Sequence, residues 1–343
     1  MEATPGIERP AVDEWLVEHC GLTGPFELDL IAGGRSNLTY RVRCGDGRGV
    51  VVRRPPTGKV LPSAHDMSRE YRLIDALHGS TVPVAEPLGF CDDDDVTGAN
   101  FYVMAEVQGQ VLRNEEEALA GLDPDGRRRA GESLVDVLVA LHEIEPDDVG
   151  LGDLGRREAY VERQLRRWYG QWDQSKTREL PVVDEVHARL AAGVPEQRGA
   201  SIAHGDYRLD NVMVDDAGTV VAVFDWEICT LGDPLADLGV LLTYWGQAGD
   251  EFLALPSTPT VAPGFPTRAE VAARYAAAAG LPDDDLPFYV AFGNWKLACI
   301  LEGVYARYLA GVMGDTPDDL DTYAVRVEQL AERARDILDG GGI

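Results

Sequence analysis

Cysteine is scarce and shows no pattern: Cys20, Cys44, Cys91, Cys229 and Cys299 are scattered over 343 residues. An odd number at wide spacing excludes a disulfide framework and a cysteine-based zinc site, and it fits a reducing compartment. Basic residues are also few, with Lys+Arg 31 against Asp+Glu 59 and a formal net charge of -28. A surface of that sign repels nucleic acid and anionic membrane, so neither is an expected partner, and any anionic ligand needs a local basic site. No apolar run is long enough to span a bilayer. The start, "MEATPGIERPAVDEWL", puts acids where a signal peptide needs a basic stretch and an apolar core. A soluble, cytoplasmic protein is expected. What the chain has in quantity is apolar content, 45%, ample for a buried core in one large two-lobed domain or two smaller ones.

From Phe26 to Arg54, the runs "FELDLIA", "LTYRVRC" and "GVVVRR" read as short strands separated by glycine-bearing turns. "SAHDMSREYRLIDALHG" reads as an amphipathic helix with a cap at Ser63, apolar Leu73, Ile74 and Leu77 at helical spacing, and Gly79 as a stop. "VAEPLGFC" and "NFYVMAEVQG" supply two further strands. After Gly109 the period turns helical over most of the remainder, including "RRAGESLVDVLVALHEI", "EAYVERQLRRWYGQW" and "FYVAFGNWKLACILEGVYARYLAGVM". The expected class is α+β, with a small β-rich lobe at residues 1–107 and a larger, mostly helical lobe at 108–343. Small molecules are expected at such a domain junction.

Within the helical half lies "AHGDYRLDNVMV", and beyond a turn-like "DDAGT" comes "VVAVFDWEICTLGDPLADLG". Loop-favouring residues alone would make this two polar turns of a hairpin. The order of its side chains suggests more. Transfer of a phosphoryl group requires charge neutralisation and in-line positioning rather than covalent help from the protein. Asp206 can accept the proton of an attacking hydroxyl. Asn211, five positions on, can offer an amide oxygen to a metal ion, and Asp225 can bind the same ion as a charged hard ligand, which suits Mg²⁺.

With these motifs the chain resembles the aminoglycoside phosphotransferase/choline kinase family, of protein-kinase-like fold, over nearly its whole length. "HGDYRLDN" is similar to that family's catalytic loop, and "FDWEICTLGDPLADLG" to its metal-binding segment and the helix after it. The resemblance implies ATP and Mg²⁺ as cofactors, Asp206 as catalytic base, and Asn211 and Asp225 as metal ligands. It makes His204 and Asp237 scaffold, with Asp237 bracing the loop through backbone hydrogen bonds. Upstream, "AGGRSNLTYRV" occupies the place of the phosphate-covering loop, with Gly33, Gly34, Ser36 and Asn37 as the nucleotide contacts. The third strand offers Arg53 where protein kinases carry lysine. Alternation turns Arg54 to the other face, where it is expected to matter little. Glu70 is the expected partner of Arg53. "FYVMAEVQG" resembles the strand and hinge that seat the purine, with Met104 packing nearby and Ala105 to Val107 bonding the base edge through backbone groups.

The acceptor side departs from kinases of cationic substrates, which line the site with carboxylates. Between Arg156 and Arg178 stand seven Arg and Lys residues against three acids, in an otherwise acidic chain. Either this is a solvated helical face with Trp168 and Trp172 turned inward, or it is an anion-friendly wall near the acceptor. "RRPPTGKVLPSAHDMSREYRLI", "RQLRRW" and "GNWKLACILEGVYARYLAG" resemble the branch of the family that occurs as the kinase domain fused to certain acyl-CoA dehydrogenases and as stand-alone bacterial proteins. The chain is expected to be of the stand-alone kind. That branch implies a hydroxylated acyl thioester as acceptor, the basic segment suiting the phosphates of coenzyme A. An antibiotic kinase and a nucleotide-binding regulator without turnover are the alternatives.

Overall fold

The computed structural model describes residues 5–31, 37–57, 66–250, 254, 258–280, 284–312 and 320–343. The chain forms two compact units: Met1–Gly109 with Val221–Glu227, and Gln110–Val220 with Ile228–Ile343. The sequence reading placed one boundary near residue 107. The return of 221–227 to the first unit has a local cause, since the Val223 N–H donates to the Pro83 carbonyl at 2.8 Å and Asp225 pairs with Arg53.

The first unit opens with helix α1 (Arg9–Cys20), which the sequence reading does not contain. Its only buried side chains are Val12, Trp15 and Leu16, too few to make a conspicuous apolar stripe. Strands β1 (Glu27–Leu30), β2 (Leu38–Arg43) and β3 (Gly49–Arg54) follow, then helix α2 (Met67–Leu77), β4 (Pro87–Cys91), the single turn α3 (Asp94–Thr97) and β5 (Phe101–Ala105). The five strands form an antiparallel sheet in the order β1-β2-β3-β5-β4. Its core joins Tyr40, Val42, Val50, Val52, Phe101 and Val103 to Trp15 and Leu16 of α1. Helix α2 starts at Met67, capped by Asp66, whose carboxylate accepts from the Ser68 and Arg69 amides at 3.1 Å. The expected cap, Ser63, lies outside the described residues. Met67, Glu70, Leu73, Ile74 and Leu77 are the buried face of α2, which brings a carboxylate into the same stripe as the apolar residues.

The second unit is helical around short strands. It comprises α4 (Glu115–Gly121), α5 (Pro124–Glu143), α6 (Tyr160–Ser175), α7 (Pro181–Ala192), β6 (Ser201–Ala203), β7 (Val212–Val214), β8 (Val220–Val223), from which the chain enters segment 221–227, β9 (Thr230–Gly232), α8 (Pro234–Tyr244), α9 (Arg268–Ala279), α10 (Leu286–Leu309) and α11 (Leu320–Leu338). Helix α10, 24 residues long, is buried on nearly all sides from Tyr289 to Cys299, as expected of a central helix rather than an amphipathic surface one. It packs tightly on α8, because a Cβ at Gly239 would stand 2.4 Å from the Tyr289 carbonyl oxygen. β6 and β9 pair antiparallel, Ala203 opposite Thr230, and so fix where the segment beginning at His204 leaves the core. The proline-rich stretch 255–267, read as a surface loop, is partly described: Pro259–Val261 is a short 3₁₀ turn with Pro259 and Thr260 buried. No described helix is long and apolar enough to cross a membrane.

Candidate active site

In the first unit the candidate side chains gather on the α2-facing side of β3. Arg53 Nε lies 2.9 Å from Glu70 Oε2, and an Arg53 terminal nitrogen donates to Asp225 Oδ1 at 3.2 Å. Glu70 is 2% exposed and also accepts from the Tyr102 hydroxyl at 3.0 Å and from Asn37 Nδ2 at 3.1 Å. Burial pushes the Glu70 carboxyl above its ordinary pKa while the Arg53 guanidinium pulls the other way. Arg53 is itself penalised by burial, but the surrounding Tyr102, Glu70 and Asp225 more than compensate, so its pKa stands above the ordinary arginine value. Its charge is therefore permanent. Asn37 Oδ1 is buried with no partner among the described residues. Asp225 sits just past β8 at φ +67°, a left-handed conformation that aspartate tolerates better than most residues, and its side chain is 40% exposed.

Arg54 faces away from Arg53, as alternation predicts, but it is not a surface arginine: it is 4% exposed and donates to the carbonyls of Gly6, Pro55 and Thr97. The segments flanking α1 and α3 meet it there, so it ties the sheet to its cover rather than lying in water. Gly33, Gly34 and Ser36 fall outside the described residues. In the hinge-like stretch Met104 stands opposite Val51 in the sheet, and the N–H groups of Ala105 and Glu106 are already given to the carbonyls of Glu86 and Gly49. Val107 is the member of that stretch whose N–H makes no hydrogen bond among the described residues.

The second unit holds the Asp206 loop. Asp237, fully buried on α8, accepts from the His204 N–H at 2.6 Å and the Gly205 N–H at 2.8 Å, and lies 3.3 Å from His142 Nε2. This is the bracing by backbone hydrogen bonds that the sequence suggests. Burial opposes the Asp237 charge, yet His142, His204 and the Gly205 amide together hold its carboxyl below the ordinary value. Gly205 has φ +87°, which favours glycine, and a Cβ there would press on the Ile228 side chain at 3.1 Å. Asn211 Nδ2 donates to the Asp206 carbonyl at 2.8 Å and to Asp206 Oδ2 at 3.0 Å, which fixes the amide relative to the carboxylate. Asp206 keeps a partly exposed side chain, with Arg208 Nε 3.5 Å from Oδ2.

Several residues in these networks escaped sequence reasoning. Tyr102 and His142 had no motif to mark them. Arg208 lies inside the quoted loop, and its guanidinium sits 4.7 Å from the centre of the Tyr244 ring. Lys296 lies inside the quoted "GNWKLACILEG" and is 5% exposed; its Nζ donates to the Gly205 carbonyl at 2.8 Å and sits 5.5 Å from the centre of the Trp168 ring. Burial lowers the Lys296 pKa, with Asp206 and Asp237 opposing the shift.

The basic segment divides. Arg157 pairs with Glu145 and Asp147, Lys176 with Asp173 and Glu179, and Arg178 with the fully buried Glu302. Arg163 and Arg166 donate to the backbone carbonyls of Arg156 and Glu162, while Arg167 lies 5.1 Å from the centre of the Trp168 ring. Trp168 and Trp172 are both buried. The inward-facing tryptophans expected of a solvated helical face and a surplus of positive charge on α6 therefore coexist.

An antiparallel five-stranded unit, a helical unit, and an Asp–Asn loop braced by a buried aspartate are features of a kinase-like phosphotransferase. A model of the phosphotransferase enzyme family matches residues 27–289, and the chain belongs to that family. It is 34% identical over 317 residues to acyl-CoA dehydrogenase family member 10 of Mus musculus, covering 91% of this chain and 29% of that protein. To family member 11 of Rattus norvegicus it is 33% identical over 305 residues, covering 87% of this chain and 38% of that one. The chain thus spans well under half the length of these relatives. Among solved structures, a candidate aminoglycoside phosphotransferase from Ralstonia eutropha aligns with TM-score 0.83 and 31% identity over 98% of this chain and 99% of that one. The GDP complex of an aminoglycoside 2'-phosphotransferase aligns with TM-score 0.64 at 13% identity, over 97% and 99% of the two chains, a likeness of fold alone. The α+β, kinase-like fold expected from the sequence is the fold of these structures.

Proposed function

We propose that the protein is an ATP- and Mg²⁺-dependent O-phosphotransferase acting on a hydroxyl of a small molecule, with a hydroxyacyl thioester as the acceptor class. The observation that carries the reading is the construction around Asp206: the loop is held through its backbone by a buried aspartate, Asn211 fixes the Asp206 carboxylate, and one side of that carboxylate remains accessible. A regulator without turnover has no chemical need for it.

In this reading Asp206 takes the proton of the acceptor hydroxyl as the oxygen attacks the γ-phosphorus. Arg53 holds phosphate oxygens of the nucleotide, oriented by Glu70, with Asn37 beside it and Gly33, Gly34 and Ser36 as further expected nucleotide contacts. Met104 packs against the purine. Its edge bonds the Val107 N–H and the backbone carbonyls of this stretch, since the Ala105 N–H is committed. The donor set fits a hard cation: with Asn211 Nδ2 turned to Asp206, the amide presents its oxygen, and Asp225 supplies a partly exposed carboxylate. Asn211 and Asp225 would hold Mg²⁺, which neutralises charge on the phosphates when bound.

Two features favour an anionic acceptor over an aminoglycoside: arginines 163, 166 and 167 of α6 have no carboxylate partner among the described ion pairs, and the similar relatives bear acyl-CoA dehydrogenase names. The test is acceptor-dependent ADP release from MgATP across hydroxyacyl-CoAs, the corresponding free hydroxy acids and aminoglycosides. Release stimulated by a hydroxyacyl-CoA supports the reading. Stimulation by aminoglycosides alone, or by none of the three, overturns it.

A further inference from the structure

We infer that Lys296 is a positioning residue for the phosphoryl-transfer step, acting through the peptide that precedes Asp206; the inference rests on the phosphotransferase reading above. Two segments, "RQLRRW" on α6 and "GNWKLACILEG" on α10, have no part in the nucleotide or metal chemistry proposed above. In the structure they converge on one atom. Trp168 from the first lies against the Lys296 ammonium from the second, and Nζ donates to the Gly205 carbonyl oxygen at 2.8 Å.

That carbonyl belongs to the peptide joining Gly205 to Asp206. The N–H of the same peptide, on Asp206, is 3.3 Å from His204 Nδ1. The preceding peptide has its N–H, on Gly205, bound to Asp237 at 2.8 Å. Lys296 therefore supplies, among the described residues, the hold on the carbonyl side of a peptide whose plane sets the direction in which Asp206 leaves the loop. Gly205, at φ +87°, gives this peptide more rotational freedom than any other residue would, so it is the point of the loop that most needs an outside restraint.

A hydrogen bond to a carbonyl needs no charge, and an ammonium buried to 5% exposure is costly to desolvate. The groups that face it account for that choice. Asp206 and Asp237 attract it, the Trp168 face accepts it, and Arg167 is the opposing charge among the described residues. A side chain without a donor here leaves the Gly205 oxygen unmatched in a dry site and frees the peptide to rotate. A displacement of about 1 Å at a reacting group costs on the order of a hundredfold in rate.

The experiment uses the full chain and Lys296→Met, which keeps length and removes the donor. The readouts are steady-state ADP release from MgATP with water as acceptor, and amide hydrogen exchange across 203–207. The expected result is a kcat lowered at least tenfold, a KM for ATP within threefold of wild type, and faster exchange confined to the loop. Methylammonium or ethylammonium should restore part of the kcat in Lys296→Ala, a response that loss of packing would not give. If Lys296→Met does not fold, Lys296→Leu, which also removes the donor, replaces it in the same two measurements. A kcat within threefold of wild type, a loss carried by KM, or unchanged loop exchange overturns the inference. Asp206→Asn in the same assay separates the two claims. If it retains turnover, the base assignment fails while the exchange result still reports on Lys296; if it abolishes turnover and Lys296→Met does not impair it, only the inference fails.

Discussion

Replacing Arg53 by Met removes a guanidinium from beside a carboxylate that has no other cation among the described ion pairs. Glu70 is 2% exposed, and once Arg53 is gone it keeps, among the described residues, the neutral donors Asn37 and Tyr102, at 3.1 and 3.0 Å. Breaking a buried pair on one side costs about 3–5 kcal/mol, and because the Arg53 side chain is 15% exposed the lower end, about 3 kcal/mol, is expected here. The sign of the pH dependence follows from Glu70. Its carboxyl is already raised by burial and rises further without Arg53, so the protonated form is favoured in the folded state. Stability is then fully present below the unfolded pKa and is lost as pH rises through the folded one. The deficit of Arg53→Met should accordingly grow from mildly acid to neutral pH in urea unfolding.

Adding Glu70→Gln removes the stranded charge and should recover most of the loss. Arg54→Met supplies the contrast. It strips donors from three carbonyls and should cost about 1–3 kcal/mol, but with no carboxylate partner its deficit should not respond to Glu70→Gln. Calorimetry separates function from stability: Arg53→Met should weaken ATP about ten- to a hundred-fold and adenosine little, whereas Arg54→Met should not distinguish them. An Arg53→Met protein within about 1 kcal/mol of wild type, or a double mutant no more stable than the single one, would refute the argument.

Two further outcomes are expected. Asp225→Ala should weaken ATP binding in the presence of Mg²⁺ and leave metal-free ATP binding nearly unchanged, so equal Mg²⁺ dependence in titrations of mutant and wild type would count against its role as ligand. Asp237 makes the fold acid-sensitive. With its carboxyl held below the ordinary value of 3.8, its contribution is present above that pH and is lost as pH falls through the folded value; Asp237→Asn should flatten the acid limb of a stability-against-pH curve, and an unchanged limb would be contrary.

What could be read in advance was local. The Asp206–Asn211 spacing, the Asp237 brace on the helix that follows, and the choice of Arg53 over Arg54 each depend on a short motif or on the two-residue period of a strand. The burial of Arg54 was not readable, because it depends on Gly6 and Thr97, brought to it by α1, whose apolar residues are too few to announce a helix, and by the single turn α3. Lys296 stands 91 residues from the carbonyl it holds, and a lysine inside an apolar helix carries no sign of its partner. The pairing of segment 221–227 with the first unit was hidden for the same reason: Asp225 lies 172 residues from Arg53. The Glu70 burial shows a subtler limit, since an acid on an amphipathic helix reads as exposed until the guanidinium opposite it is known.

The most direct test of phosphoryl transfer with Asp206 as base is single-turnover transfer from MgATP to a hydroxyacyl-CoA by the wild-type protein and Asp206→Asn. The substitution keeps the size of the side chain and removes its capacity to take a proton. The account predicts phosphorylated product with the wild-type protein, ATP affinity within a few-fold in the mutant, and a transfer rate lower by roughly two orders of magnitude or more. A mutant that transfers phosphate at close to the wild-type rate, or a wild-type protein that yields no phosphorylated acceptor, would contradict it.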